Sequence, residues 1–309
     1  MATLVFGHKN PDTDSITSTL VMTDLQTKLG MDVKACRLGD VNKETQYILN
    51  HFQVEAPTLI EEVTENDEVI LVDHNEFNQS ANGIEKATIK MVVDHHRIAN
   101  FQTSEPLFYR AEPVGCTGTI LYKMYKENGI EIEPKIAGLM ASAIISDSLL
   151  FKSPTCTPQD EKACRELAQI AGLDVETYGL EMLKAGTDLS DLTAGQLLGI
   201  DAKVFPMGSS TVEIAQINVV SIEDMMTRKA ELEEQMQAII AEKGLNLFVA
   251  VITDILNSNS QVIALGERTD IVEKAFNVEL TENTALLEGV VSRKKQMLPP
   301  LIELSERRS

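Results

Sequence analysis

Short apolar runs without alternation, separated by segments of helical period, set the rhythm of the first half of the chain. Leu4-Val5-Phe6, Val33 to Leu38, Val69 to Val72 and Ile89 to Val93 read as strands of a parallel sheet buried on both faces. Ser15 to Leu29 reads as a helix with Ile16, Leu20, Met22 and Leu25 inward, Asp14 or Ser15 as cap, and Gly30 as its stop. Asn42 to Phe52, Thr117 to Asn128 and Pro134 to Leu150 are further helices. Thr157 and Pro158 open another as N-cap and first helical residue, running to Gly172, and Asp174 to Ala185 adds one more. Repeated βα units predict an α/β fold whose N-terminal parallel sheet carries helices on both faces.

The rhythm lapses at Gly186 to Thr193, a stretch of small polar residues. The expected division is a domain at 1–188, a linker at 189–194 and a smaller α/β domain with a mixed sheet at 195–309. There, Ala202 to Phe205 and Thr211 to Val220 are strands about a turn at Pro206 to Ser210. Ser221 is expected to cap one long amphipathic helix, with Asp224 in capping-box position and Met225, Leu232, Met236, Ile239 and Ile240 on one face. Leu247 to Ile252 and Gln261 to Leu265 supply further strands, with a short helix at Asp270 to Phe276.

A chain of 309 residues can bury two full cores, and its formal net charge of −20 disfavours nucleic acid or an anionic membrane as partner. With no Trp and 5% aromatic residues it also lacks stacking platforms for single strands. Such a protein binds an anion only where metal ions or a local cationic cluster reverse the field. The N-terminus shows no basic segment followed by an apolar run, as a secretory signal would. The richest apolar stretch, Ile136 to Phe151, is interrupted by Ser142, Ser146, Asp147 and Ser148. Cys36, Cys116, Cys156 and Cys164 form no CxxC pair and are expected to be reduced core thiols of a cytoplasmic protein.

The chemistry gathers at strand ends. After Phe6, Gly7 frees the backbone and His8, Asp12 and Asp14 follow, with Pro11 expected to stiffen the loop and hold Asn10 extended. Ile70-Leu71-Val72 leads into Asp73-His74-Asn75, and Met91-Val92-Val93 into Asp94-His95-His96. Strands of one parallel sheet deliver such residues to a common crevice at their carboxyl ends. Asp147, near the end of an apolar helix, needs a partner if buried. His8, Asp12, Asp14, Asp73, His95 and Asp147 suffice for two divalent ions of borderline hardness, such as Mn²⁺, with one carboxylate shared. Taken singly, each acid also reads as a helix cap or a solvated helix end. Cations to hold a polyanion are available in Arg293-Lys294-Lys295 and at Lys203.

H-x₃-D-x-D at 8–14, D-H-N at 73–75, D-H-H at 94–96, S-D-S around Asp147 and S-R-K-K-Q at 292–296 together resemble the manganese-dependent family II inorganic pyrophosphatases of the DHH phosphoesterase superfamily. The resemblance spans essentially the whole chain, with no departure at a motif position. It implies a DHH catalytic domain, a DHHA2-like substrate-binding domain and an active site in the cleft between them. It also implies hydrolysis of pyrophosphate to two orthophosphates by a metal-bridging hydroxide. One Mn²⁺ would sit on His8, Asp12 and Asp73, and a second on Asp14, Asp73, His95 and Asp147. Co²⁺ would be a possible substitute, and Mg²⁺ would arrive with the substrate. His96 would act toward the leaving phosphate, which Lys203, Arg293 and Lys294 would grip; Asp14 is the candidate proton acceptor. His74 and Asp94 would orient ligands by hydrogen bonds. The family also implies a homodimer joined through the first domain. The rival reading is another DHH phosphoesterase, an exopolyphosphatase, nuclease or oligonucleotide phosphodiesterase. The nuclease and phosphodiesterase branch resembles a glycine-rich G-G-G-H signature that this chain lacks. A silent metal- or nucleotide-sensing module would need neither the full ligand set nor the basic run.

Overall fold

The computed structural model describes residues 2–208 and 210–306, and the chain divides into two units, Met1–Gly186 and Thr187–Ser309. In the first, β1 (Thr3–Phe6), α1 (Thr13–Lys28), β2 (Val33–Arg37), α2 (Lys43–Phe52), β3 (Thr58–Leu59), β4 (Glu68–Val72), β5 (Thr88–Asp94) and β6 (Phe108–Ala111) precede four helices. These are α3 (Thr117–Glu127), α4 (Pro134–Ser148), α5 (Pro158–Ala171) and α6 (Val175–Gly186). The strands form one parallel sheet in the order β3-β2-β1-β4-β5-β6. The order reverses between β1 and β4, which opens a crevice at their carboxyl ends. The two-residue β3 and the half-exposed β6 are the strands that hydrophobic pattern did not reveal, because edge strands lack a continuous apolar run.

Alternation along the strands separates two faces. Leu4, Phe6, Val69 and Leu71 join one apolar cluster, closed by the 3₁₀ turn Phe77–Gln79 and by loop residues such as Val63, Ile84 and Phe101. Among the described residues, none of α1 to α6 belongs to that cluster. α1 packs against β1, β2 and β4 and against α4, and is buried almost all round, including Thr13, Asp14 and Ser18.

Two local expectations are corrected. The cap of α1 is Asp12, whose Oδ1 accepts from the Ser15 amide at 3.0 Å, so the helix starts at Thr13, two residues earlier than Ser15. Asn10 is left-handed (φ 51°) and not extended; a short amide side chain tolerates that conformation even before proline.

The second unit contains α7 (Ala194–Gly199), β7 (Ala202–Met207), β8 (Ser210–Val219), α8 (Ile222–Met226), α9 (Lys229–Lys243), β9 (Leu247–Asp254), β10 (Asn259–Gly266), α10 (Thr269–Phe276), β11 (Thr284–Glu288) and α11 (Leu298–Glu306). Its sheet is mixed, in the order β11-β10-β9-β8-β7, with β8 and β9 parallel and the other pairs antiparallel. Of the expected turn at 206–210, Ser209 lies outside the described residues. The long helix expected from Ser221 is two helices. Arg228 adopts φ −93°, ψ 6° between them, and its guanidinium donates to the carbonyls of Leu189 (3.1 Å) and Leu192 (2.8 Å). Pro299 and Pro300 stand at the start of α11, which continues directly from a π-helical turn at Arg293–Met297. No helix among the described residues is long and apolar enough to cross a membrane.

Candidate metal centre

Four chain segments deliver the candidate ligands. The turn after β1 carries His8 and ends in Asp12 and Asp14 at the start of α1. Asp73 follows β4 directly, and its φ of 59° turns the carboxylate back over the strand ends. A left-handed Asp stores about 1–3 kcal/mol of strain, typical of residues held for function. Asp94 ends β5 and His95 follows it, while Asp147 stands in the last turn of α4.

Asp73 occupies the middle. Its Oδ2 lies 3.4 Å from His8 Nε2, and its Oδ1 lies 3.3 Å from His95 Nε2. His8 Nε2 is also 3.5 Å from Asp12 Oδ2, and His95 Nε2 is 4.0 Å from both Asp14 and Asp147. Each imidazole has its other nitrogen engaged: His8 Nδ1 donates to the Lys9 carbonyl (2.8 Å) and His95 Nδ1 to that of Val114 (3.1 Å). The Nε2 lone pairs therefore face the carboxylates, as in ligating histidines whose tautomer is set by a backbone acceptor.

The N-terminus of α3 holds the acids in register. Asp14 accepts from the amides of Thr117 (2.7 Å) and Gly118 (3.2 Å) and from Ser18 Oγ (2.6 Å). Thr117 Oγ1 donates to Asp73 Oδ1 at 3.1 Å. Buried Asp160 fixes this corner, accepting from the Gly115 amide and the Thr119 hydroxyl. His96 donates from Nδ1 to Asp94 Oδ1 (2.9 Å), which leaves its Nε2 free on a half-exposed ring. Asp94 in turn accepts from Asn75 Nδ2, whereas His74 is buried and bonded to Val72 O and Ser80 Oγ. A cleft of about 350 Å³ is lined by Asp12, Asp73, His95, His96, Gly115 and Asp147.

The charges of the cluster act strongly on one another. Burial would lower the His8 pKa, but Asp12 and Asp73 raise it to about 11; Asp73 and Asp14 likewise raise His95 to about 9 against its burial. Burial and the Asp73 charge push Asp14 up to about 7, and burial and Asp14 push Asp147 well above the carboxylate range. Asp73, buried but facing two imidazoles, is driven down. Ligand atoms about 2.1 Å from one ion and at right angles stand about 3 Å apart, close to the contacts around Asp73. Nitrogen and carboxylate donors of this kind suit divalent ions of borderline hardness.

These shifts fix the sign of a pH effect. Ligation requires neutral imidazole and ionised carboxylate, so Mn²⁺ uptake at pH 7 must expel protons from His8 and His95 and part of one from Asp14. Affinity should therefore climb as pH rises from 6 toward 9, where His95 loses its proton unaided. Titration calorimetry in buffers of different ionisation enthalpy measures the release; a pH-independent affinity with no proton release would contradict it.

The structure brings His8, Asp12, Asp14, Asp73, His95, His96 and Asp147 together in the first unit. Lys203, Arg293 and Lys294 belong to the second. There Lys203 (on β7) and Lys294 are exposed. Arg293 is buried, with Nη2 2.8 Å from Asp201 Oδ1 and Nη1 on the Asp201 carbonyl, two residues from Lys203. Sequence reading missed Thr117, Asp160 and Cys116, whose Sγ lies within 4.8 Å of donor oxygens of Asp14 and Asp147. It also missed Glu44, a carboxylate on α2 that accepts from Thr13 and Ser146. Only the capping pair Thr157/Asp160 carried a local signal.

The N-terminal domain of the DHH family matches residues 2–144, and the DHHA2 domain matches residues 180–304. Fold and site thus define a two-domain DHH protein whose first unit gathers His and Asp side chains able to hold metal ions. Proteins assigned as manganese-dependent inorganic pyrophosphatases in Exiguobacterium sp. and Brevibacillus brevis are each 62% identical over 301 residues, 97% of both chains. The crystal structure of a candidate family II inorganic pyrophosphatase from Methanococcus jannaschii superposes with a TM-score of 0.61 at 39% identity, covering 99% of this chain and all of that one. The chain belongs to the manganese-dependent, family II inorganic pyrophosphatases, a family of hydrolases.

Proposed function

We propose that this chain hydrolyses inorganic pyrophosphate to two orthophosphates at a centre of two Mn²⁺ per subunit. The observation that carries the reading is Asp73, whose two oxygens face two imidazoles on opposite sides, as a carboxylate shared by two ions must. His8, Asp12 and Asp73 would hold one ion, and Asp14, Asp73, His95 and Asp147 the other; Co²⁺ would replace Mn²⁺, and Mg²⁺ would enter with the substrate. When bound, such a pair supplies a hydroxide nucleophile at neutral pH and neutralises the phosphoryl oxygens undergoing in-line displacement.

The protein's own groups do the rest. The backbone amides at the head of α3 keep Asp14 aimed into the site, where it is the candidate acceptor for the proton of the attacking water. His96, its pKa raised by the Asp94 hydrogen bond, would offer a proton from Nε2 to the leaving phosphate. Residues 195–309 would form the substrate-binding domain, joined by a linker at 189–194 to a catalytic domain at 1–188. From it Lys203, Arg293 and Lys294 would grip the departing phosphate, Arg293 bidentately and the lysines as point charges. The protein would act as a cytoplasmic homodimer joined through the first domain.

The test is phosphate release by the Mn²⁺-loaded protein from pyrophosphate, a polyphosphate chain and a short oligonucleotide. Two phosphates per pyrophosphate and negligible release from the other two are expected. Faster turnover of polyphosphate or of the oligonucleotide would favour a different DHH phosphoesterase.

A further inference from the structure

Three of the ligand carboxylates are held by neutral donors. Asp12 accepts from the Ser15 amide, Asp14 from two amides and a hydroxyl, and Asp73 from the Thr117 hydroxyl. For Asp147 the described residues offer no amide or hydroxyl donor; its surroundings are His95 and the charges of Asp14, Asp73 and Asp12. The carboxylate itself therefore does little to anchor the end of α4. The chain beyond adds to the difficulty, because Leu149, Leu150 and Phe151 take φ of 48°, 52° and 66° in succession, a conformation bulky side chains avoid.

One atom opposes this. Glu44 Oε1 accepts from Ser146 Oγ at 2.5 Å and from Thr13 Oγ1 at 2.6 Å. Ser146 precedes Asp147, and Thr13 stands between Asp12 and Asp14, so a partly buried carboxylate of α2 ties both ligand-bearing helix ends to one oxygen. Thr13 is further located by a 3.0 Å bond to Thr45 Oγ1, so the clamp rests on α2 itself.

We propose that Glu44 is a positioning residue that sets the separation of Asp14 from Asp147, and thereby the affinity of the ion held by Asp14, His95 and Asp147, without touching ion or substrate. The inference rests on the two-metal reading above. Its action is geometric: Glu44 needs an acceptor oxygen in this place, and not its charge.

Metal-free full-length protein is titrated with Mn²⁺ by calorimetry, with electron paramagnetic resonance to follow the two steps. Wild type should bind two ions. Glu44→Ala should weaken one step by about 10–100-fold, the range for lost partners of metal ligands, and leave the other unchanged. Glu44→Gln, which retains the acceptor, should restore the weakened step. Ser146→Ala should weaken the same step, which keeps the idea testable if Glu44→Ala folds poorly. Unchanged steps in Glu44→Ala, equal weakening of both, or a Gln variant as weak as the Ala variant would each overturn the proposal. A wild-type protein that takes up no Mn²⁺ would instead overturn the two-metal reading, and this inference with it.

Discussion

Asp73→Ala is expected to abolish pyrophosphate hydrolysis, by more than the roughly 10²–10³-fold that loss of a single electrostatic contact costs. No other described side chain faces both His8 and His95, so truncation removes an anchor from each proposed ion at once. It also leaves two imidazoles whose raised pKa values depend on that carboxylate, and both should fall toward the ordinary histidine range. Asp73→Asn separates charge from shape: it keeps the volume and can still accept from Thr117, yet presents an amide nitrogen to one of the imidazoles. Both variants should bind at most one Mn²⁺ tightly, measured by titration alongside phosphate release. Near-normal turnover with two ions bound would show that another group bridges the centre.

The second large effect is expected at Arg293. Arg293→Ala should lower kcat/KM by about 10²–10³-fold, the scale for a preorganised cationic contact to developing charge. Mn²⁺ occupancy should stay intact, since Arg293 belongs to the second unit and its partners are Asp201 and Gln216. Arg293→Lys should recover little, because an ammonium cannot reproduce a planar two-donor contact. Arg293 is buried on Asp201, so thermal unfolding of each variant has to accompany the kinetics. Loss of Mn²⁺ in Arg293→Ala would contradict the division of labour between metal-binding and phosphate-binding residues.

The candidate ligands were legible because they follow apolar runs closely. Phe6-Gly7-His8, Val72-Asp73 and Val93-Asp94-His95 each mark a strand end, and a parallel sheet collects its strand ends on one edge. Asp147 was weaker, since an acid in the last turn of an apolar helix reads equally as a wet helix end; it became a ligand candidate through company and resemblance. Glu44, Thr117 and Asp160 gave no local sign of their part in the site. The Thr117 amide and Asp14 are 103 residues apart, and Ser146 and Glu44 are 102 apart, so no spacing rule could join them. The break between α8 and α9 escaped for a similar reason: Arg228 leaves helical geometry where its guanidinium reaches carbonyls of the 189–192 segment.

From the order of residues alone came which side chains could ligate, because covalent adjacency places each acid or imidazole at the mouth of its strand whatever the rest of the fold does. Only the tertiary structure decided how they face one another. β1 pairs with β4 on one side and β2 on the other, and that pairing, with the left-handed turn at Asp73, sets a single carboxylate between two imidazoles. Backbone carbonyls at Lys9 and Val114 then choose the tautomers that present Nε2. Those choices depend on which strands neighbour each other and on the direction of one side chain, quantities of through-space geometry that residue order does not contain.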